Sequence, residues 1–221
     1  MIVKNLTRKS GSGQLLRYIF KYIHQEKREA QAPFIIRHNV RSTDVRGFTK
    51  EFTENAARRV HARRDQTLIH HTILSWSNKD REKITPEMIR RMASQYIRLR
   101  GENNLYVGAI HTDRDHIHLH LAMSGNQING LSSRISQRQF FDLKCSLDAF
   151  QRELYPELDN SLPEHGKGKT PKGLEPPCAH TVKDKASEHL SPSEISDVEQ
   201  LKNIRVWSIE RTLLNDFDIE F

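Results

Sequence analysis

Four histidines fall within one ten-residue segment near the middle of the chain (HTDRDHIHLH, 111–120). His116, His118 and His120 alternate there with apolar residues, which is typical of a half-buried β-strand. Side chains two positions apart on a strand lie on one face, so the spacing groups His118 with His120. With His111 from the preceding strand, these residues would form three neutral imidazoles able to hold one divalent metal ion, with positions open for substrate and water.

The other polar residues of this segment leave some assignments open. Strict alternation also places His116 on the face of the later histidines, where it is an alternative ligand. Asp113 and Asp115 lie in the turn between the two strands, where a carboxylate could orient a ligating imidazole. Ordinary polar residues on a solvated face are the competing interpretation. A metal site is favoured because four protonated imidazoles would repel one another, whereas metal-bound imidazoles are neutral.

Three neutral ligands leave the metal its full double charge, which suits polarising a phosphate oxygen. The nucleophile for such chemistry could come from the N-terminal region. Tyr18 and Tyr22 are one helical turn apart, and a tyrosine can attack a phosphodiester to give a covalent phosphotyrosine. Packing in the core is the alternative explanation for tyrosines at helical spacing. Contact with a DNA backbone is favoured by four nearby cations: Arg8, Lys9, Arg17 and Lys21.

The charge of the chain is unevenly distributed. Residues 1–110 carry 22 Lys and Arg against 10 Asp and Glu, a net of +12. Residues 111–221 carry 13 against 18, a net of −5. A basic N-terminal half indicates a surface that binds polyanions, although a solvated basic surface would have the same composition.

Composition also restricts the class of protein. The 221 residues are 36% hydrophobic and 29% charged, as expected of a globular protein with a polar surface. No apolar run approaches the ~18 residues of a membrane span, and the N-terminus lacks the apolar core of a signal peptide. Two cysteines are too few to indicate a disulfide framework, so we expect a reducing cytoplasm and no membrane insertion.

Periodicity predicts the elements that position these residues. We expect strands at 2–6, 33–36, 66–76, 105–111 and 116–123, and helices at 14–29, 48–64, 85–100 and 137–154. Ser10 or Ser12 is expected to cap the first helix. Thr85-Pro86 should begin the third helix and Gly101 should end it. Interleaved strands and helices predict an α+β domain with a central, mainly antiparallel sheet flanked by helices.

Three regions are expected along the chain. Residues 1–158 would form the main domain. Five of the eight prolines lie in residues 159–192, which predicts a linker. Residues 193–221 would form a helical C-terminal segment, giving the domain an extended helical appendage.

Three blocks of sequence resemble the relaxases (mobilisation nucleases) of conjugative and mobilisable plasmids, specifically the MOBP type. Leu15-Leu-Arg-Tyr-Ile19 is similar to the family's tyrosine motif. Ile69-His-His-Thr-Ile-Leu-Ser75 is similar to its second motif, a strand that ends in a serine. The third block is similar to the histidine-metal motif and reads His111-x-Asp113-x-x-x-x-His118-x-His120. The blocks occur in the family's order, and the resemblance covers roughly residues 1–156.

The resemblance implies a fold of the HUH-endonuclease type and strand- and site-specific nicking of single-stranded DNA at an origin of transfer. Tyr18 would attack the scissile phosphate, remain joined to the 5′ end and release a 3′-hydroxyl. The reverse step would rejoin the strand after transfer. Nicking of this kind initiates conjugative mobilisation.

The resemblance also implies roles for the other site residues. His111, His118 and His120 would hold Mg²⁺ or Mn²⁺ on the scissile phosphate. Ser75 would help to position the DNA, and Asp113 would orient a histidine or assist removal of the tyrosine proton. Two other candidate nucleophiles stay open: Tyr22 is a possible second nucleophile, and His24 is a further one because related relaxases use histidine. The family pattern does not require a histidine at position 116, so the role of His116 stays open as well.

The partners implied are single-stranded DNA at the origin of transfer, accessory relaxosome proteins and a type IV secretion coupling protein, all met in the bacterial cytoplasm. Two other functions remain compatible with the residues. One is a non-catalytic DNA-binding module with a structural metal site. The other is a metal-dependent nuclease that uses activated water, with Tyr18 merely packed in the core.

Overall fold

Five strands form one antiparallel sheet in the computed structural model, which describes residues 1–20, 34–112 and 116–162. In chain order they are β1 (Ile2–Arg8), β2 (Ile35–His38), β3 (Ile69–Ser75), β4 (Tyr106–His111) and β5 (His118–Ser124). They lie side by side in the order β1-β3-β5-β4-β2, and every neighbouring pair is antiparallel. The expected α+β class with an antiparallel sheet is confirmed. All five predicted strands are present, with their ends shifted by a few residues.

Within the described residues, four α-helices flank the sheet: α1 (Ser12–Ile19), α2 (Val45–Ala57), α3 (Pro86–Arg100) and α4 (Gln137–Leu154). Helix α3 has the predicted ends. The Thr85 side chain accepts a hydrogen bond from the backbone N–H of Met88, Pro86 occupies the first position, and the helix ends before Gly101. Helix α4 has the predicted bounds, and the Ser136 hydroxyl caps it by accepting from the backbone N–H of Gln139.

The start of α1 corrects the predicted cap at Ser10 or Ser12. Gly11 is the N-cap, with φ 67°, a left-handed conformation that glycine adopts without the steric cost of a Cβ. Its carbonyl accepts from the backbone N–H groups of Gln14 and Leu15. The predicted continuation of this helix towards residue 29 falls on residues 21–33, outside the described part of the chain.

Helix α2 spans Val45–Ala57, so the predicted helix at 48–64 was wrong at both ends. It begins at Val45 because the Asp44 side chain accepts from the backbone N–H of Gly47 at 2.9 Å, a capping contact that apolar spacing does not reveal. It ends at Ala57. Beyond it, the guanidinium of Arg59 donates to the carbonyls of Thr67 and Gly125 and holds the chain on a non-helical path.

Two hydrophobic clusters cover the two faces of the sheet. Helices α1 and α2 pack on one face through side chains that include Leu16, Ile19, Phe48 and Phe52. Helices α3 and α4 pack on the other face, where Leu119 and Leu121 of β5 are fully buried. Because side chains alternate along a strand, this burial fixes which face of β5 carries its histidines. His118 and His120 therefore lie on the α1 side.

The described part of the chain ends in a short 3-10 turn, Asp159–Ser161. The Ser161 hydroxyl donates to Asp80 at 2.6 Å, so this turn packs against the domain. The rest of the predicted linker and the predicted helical segment 193–221 lie outside the described residues. In the part of the chain that is described, no helix combines the length and apolar character needed to cross a bilayer.

Candidate active site

The hairpin of β4 and β5 brings three of the four central histidines together. His111 is the last residue of β4, His118 is the first of β5, and the two are directly paired across the strands. His120 follows two positions later on the same face. One ring nitrogen from each imidazole lies within 4.8 Å of the others, close enough for all three to bind one metal ion. The structure thus assembles the three predicted ligands.

Hydrogen bonds to carbonyls orient two of these imidazoles. A carbonyl oxygen only accepts, so the ring nitrogen that meets it carries the proton. His111 Nε2 donates to the backbone oxygen of Ile19 at 2.7 Å, and His118 Nδ1 donates to that of His116 at 2.7 Å. In each neutral ring the other nitrogen keeps its lone pair. That arrangement of ligating and hydrogen-bonded nitrogens is typical of histidine metal sites, and it shows that these residues fit a divalent ion.

The third imidazole has a different partner. His120 Nδ1 lies 2.8 Å from Nε2 of His71, a residue of β3 that the sequence interpretation did not select. Both side chains are buried. A signal for His71 was present in the sequence: it lies four positions before Ser75, so both face the same side of β3. The spacing could not reveal its contact, because that depends on the register between β3 and β5.

His116 contributes its backbone and not its ring to this arrangement. It precedes β5, which begins at His118, so the strand alternation that made it an alternative ligand does not extend to it. Its imidazole is exposed, and its carbonyl orients His118. Among the described residues, the group that could hold a metal is limited to His111, His118 and His120.

Tyr18 lies beside the triad, in the last turn of α1. Its ring makes edge-on contacts with His111 and His120, with centroid distances of 5.9 and 5.8 Å. The apolar face of α1 (Leu15, Leu16 and Ile19) is buried against α2 and the sheet, which fixes the helix in place. Tyr18 itself remains 44% exposed, so the predicted nucleophile borders both the metal ligands and solvent.

The remaining predicted site residues are distributed as follows. Ser75 is partly buried and pairs with His118 across the β3–β5 ladder, on the face of the triad. Arg8, Lys9 and Arg17 are exposed, and Lys9 forms a 3.6 Å surface ion pair with Asp65. The other predicted residues fall outside the described ranges: Lys21, Tyr22, His24 and Asp113.

An open strip of the sheet adjoins the triad. β1 is an edge strand, and its register with β3 places four of its side chains on the histidine face: Ile2, Lys4, Leu6 and Arg8. Ile2 and Leu6 are 53% and 51% exposed, and the two cations are exposed as well. The helices therefore leave a surface of alternating apolar and basic side chains next to the site.

Two adjacent buried histidines on β3 are held neutral. Burial, reinforced by the charge of Arg8 and by His111, lowers the pKa of His71 to about 4. Burial also lowers the pKa of His70 to about 4, with Arg100 and Arg59 acting in the same direction. His70 points to the opposite face of the sheet, so the two neighbours occupy different environments.

We expect His70 to make folding sensitive to mild acid. In the unfolded chain its pKa returns to 6.5, so the unfolded state takes up a proton first as the pH falls from about 6.5 to about 4. As the pH falls through that window, protonation of His70 should lower the free energy of unfolding by about 3 kcal/mol. Above pH 6.5 this residue should make the free energy of unfolding no more dependent on pH. Urea denaturation of wild type and His70→Gln across this range measures the effect. Equal pH slopes for the two proteins would contradict it.

The fold and the triad define a class: an antiparallel sheet that presents a candidate metal site and a tyrosine on one face. The family model for relaxases, MobA/VirD2-like, nuclease domain, matches residues 22–154, more than half of the 221 residues. The chain belongs to this family of relaxase nucleases, enzymes that act on DNA, and the predicted resemblance to plasmid relaxases is confirmed. The matched segment contains Ser75 and the triad, and it begins after Tyr18.

Solved relaxase structures share the fold. The chain is similar to the MobM relaxase domain (MOBV; Mob_Pre) bound to 26-nucleotide pMV158 oriT DNA, with 19% identity, a TM-score of 0.51, and coverage of 76% of this chain and 95% of that one. A second MobM complex with oriT DNA, a Mn-bound crystal structure, gives 16% identity, a TM-score of 0.50, and coverage of 77% and 95%. No curated protein sequence matches the chain.

Proposed function

We propose that the protein nicks and rejoins one DNA strand at a plasmid origin of transfer, with Tyr18 as the nucleophile. The observation that carries the proposal is the position of Tyr18, whose ring contacts two imidazoles of the triad while remaining open to solvent. A packed core tyrosine would be covered. Membership of the relaxase nuclease family supports the same activity.

In the proposed reaction the Tyr18 hydroxyl oxygen attacks the scissile phosphorus and the bond to the 3′ oxygen breaks. The tyrosine becomes joined to the 5′ phosphate, and the 3′ oxygen leaves as a hydroxyl after taking a proton. Asp113 is the proposed acceptor of the tyrosine proton, or else it orients a histidine. Attack by the 3′-hydroxyl on the phosphotyrosine reverses these steps and rejoins the strand. Ser75 is proposed to position the DNA near His118, its partner across the sheet.

The three imidazoles are proposed to hold Mg²⁺ or Mn²⁺, and the Mn-bound state of a MobM complex with oriT DNA supports a divalent ion of this kind. Such an ion would polarise an oxygen of the scissile phosphate. The protein supplies the geometry: hydrogen bonds from His111 and His118 to carbonyls fix which ring nitrogens remain available. Neutral ligands suit this task because they do not reduce the charge that a phosphate meets.

The DNA is proposed to run from the triad along the open strip of β1. The cations assigned to its backbone are Arg8, Lys9, Arg17 and Lys21, joined by Lys4 of the strip. Arg8 and Lys9 lie at the end of β1 that is far from the triad. Arg8 is six residues, or about 20 Å along the strand, from Ile2 at the near end. Apolar Ile2 and Leu6 are suited to contact bases between the phosphate contacts. MobM is solved with oriT DNA, which supports single-stranded origin DNA as the ligand here.

We expect substitution of the basic residues to weaken DNA binding through charge alone. Arg8→Gln and Lys9→Gln should each lower affinity for single-stranded DNA and reduce the salt slope, log Kd against log salt, by about 0.7. Fluorescence anisotropy between 50 and 200 mM salt measures both quantities. Arg98→Gln, an exposed cation of α3 on the other side of the sheet, is the control and should leave both unchanged. If the salt slope were the same in wild type and in all three variants, Arg8 and Lys9 would not contact the DNA backbone.

The experiment that tests the function uses the wild-type protein and single-stranded oligonucleotides that tile the DNA beside its coding region. Each oligonucleotide is labelled at its 5′ or 3′ end and incubated with Mn²⁺ or Mg²⁺ before denaturing electrophoresis. We expect one oligonucleotide to be cut at one position, with the 3′-labelled fragment shifted by covalent protein. Unshifted fragments at both ends would indicate hydrolysis by water. Binding without cleavage would indicate a DNA-binding module.

In a cell the proposed function places the protein in the bacterial cytoplasm with accessory relaxosome proteins and a type IV secretion coupling protein. The proposal divides the chain into a nicking domain (1–158), a linker (159–192) and a helical C-terminal segment (193–221). The proline content and acidic bias of the C-terminal half motivate a role for the last segment as a docking surface for those partners.

A further inference from the structure

His120 of the triad makes a hydrogen bond to another side chain, the imidazole of His71. His120 pairs with Ile73 across the β3–β5 ladder, so His71 is its diagonal neighbour on the same face. The two rings bridge that diagonal with 2.8 Å between His71 Nε2 and His120 Nδ1. The side chains are each 3% exposed, so water does not compete for the contact.

Only one proton lies between these two nitrogens. If it belongs to His71, then His120 must carry its own proton on Nε2 and has no lone pair left for a metal. If it belongs to His120 Nδ1, the lone pair of His120 Nε2 is available. Metal binding by His120 therefore requires His71 to accept the hydrogen bond, with its own proton on Nδ1.

We propose that His71 is a positioning residue, which accepts the Nδ1–H of His120 and so holds His120 in the form that binds the metal. The inference rests on the proposed metal site and gives a role to a residue that lies inside the second relaxase block but had no role there. His71 plays for His120 the part that the carbonyls of Ile19 and His116 play for the other two ligands. A neutral acceptor also leaves the charge of the ion undiminished, as a carboxylate would not.

A purely structural role explains His71 less well. Its Nδ1 is buried and has no hydrogen-bond partner among the described residues, which costs stability. An apolar side chain of similar size would avoid that cost. Buried polar groups that remain unsatisfied in a native structure call for a reason other than stability, and orientation of His120 supplies one.

The test asks whether His120 needs a hydrogen-bond acceptor at the position of His71 Nε2 or only a side chain that fills the space of the imidazole. In His71→Gln the amide oxygen can take the place of Nε2, whereas in His71→Asn the shorter amide reaches only the place of Nδ1. His71→Leu fills the space without an acceptor. His70→Leu is the matched control, since His70 is the adjacent buried histidine and lies on the face of the sheet opposite the triad.

Mn²⁺ affinity of the DNA-free protein is measured by isothermal titration calorimetry, and folding by circular dichroism. We expect His71→Leu and His71→Asn to bind Mn²⁺ about 10–100-fold more weakly, with His71→Gln and His70→Leu within about threefold of wild type. In nicking assays the weak variants should need correspondingly more Mn²⁺ for half-maximal rate, and excess Mn²⁺ should restore most of the rate.

Unchanged Mn²⁺ affinity in His71→Leu would overturn the inference, as would a His71→Gln protein that is as weak as His71→Asn. The comparison of Gln with Asn decides the matter even if the leucine variant fails to fold. Failure of the metal site itself looks different: wild type would then bind no Mn²⁺, or His118→Ala would bind it as well as wild type does.

Discussion

Replacing Tyr18 with phenylalanine is expected to abolish the covalent protein–DNA adduct and to lower the nicking rate by on the order of 10⁴-fold or more. The phenyl ring keeps the edge-on contacts with His111 and His120 and the packing of α1, so only the hydroxyl is lost. DNA binding should therefore stay within about twofold of wild type, because a single hydroxyl makes a small net contribution to affinity. Single-turnover cleavage of a labelled oligonucleotide and gel-shift titration measure the two effects.

Tyr155→Phe is the control for this substitution. Tyr155 caps α4 at its C-terminal end, is partly buried, and lies outside the triad. The Tyr155→Phe protein should nick DNA at the wild-type rate. Any loss of activity there would mean that removal of a tyrosine hydroxyl is harmful in itself.

The alternative nucleophiles have distinct signatures. An adduct that persists in Tyr18→Phe would transfer the role to Tyr22 or His24, and mass spectrometry of the tryptic peptide joined to DNA would identify which. Free cleavage products at the wild-type rate would instead indicate attack by water, with the tyrosine serving only to pack. Either result would contradict the assignment of Tyr18.

Loss of one triad imidazole is expected to have an effect of similar size. His118→Ala should weaken Mn²⁺ binding by more than about 100-fold, since removal of a ligand exceeds the usual effect of removing its hydrogen-bond partner. Nicking should be lost with it. DNA binding should remain largely intact, because His118 lies at the start of a strand, is only half buried, and is not one of the basic residues of the open strip.

His116→Ala is the matched control for that variant. It removes an imidazole two positions away but keeps the carbonyl to which His118 donates. Mn²⁺ affinity and nicking should both match the wild type. If His118→Ala instead lost DNA binding and nicking together, with unchanged Mn²⁺ affinity, the histidines would be structural.

The parts of the structure that follow from local sequence agree with prediction. Helix α3 begins and ends as expected because Thr85, Pro86 and Gly101 determine its ends through their own backbone chemistry. The β4–β5 hairpin was predictable because apolar alternation fixes the face of each strand, and the grouping of His111 with His118 and His120 follows from that face.

Some of the differences arise where residues distant in sequence determine the structure. Beyond the end of α2, Arg59 donates to Thr67, just before β3, and to Gly125, just after β5. The role of His71 depends on a diagonal contact between β3 and β5, which are not adjacent in sequence. The cap of α1 was wrong for a local reason, because a left-handed Gly11 outcompeted the nearby serines. Strand register and long-range hydrogen bonds are the information that periodicity lacks.

The hydrogen bond from His111 to the carbonyl of Ile19 makes the tyrosine helix and the metal ligands one thermodynamic unit. Ile19 follows Tyr18 directly and is the last residue of α1, where carbonyls have no partner within the helix. An ion that favours this form of His111 must also favour the docked helix end, and linkage makes the effect mutual. Cation loading and alignment of the attacking group would then rise and fall together, so that a protein without its ion would also present its tyrosine less firmly.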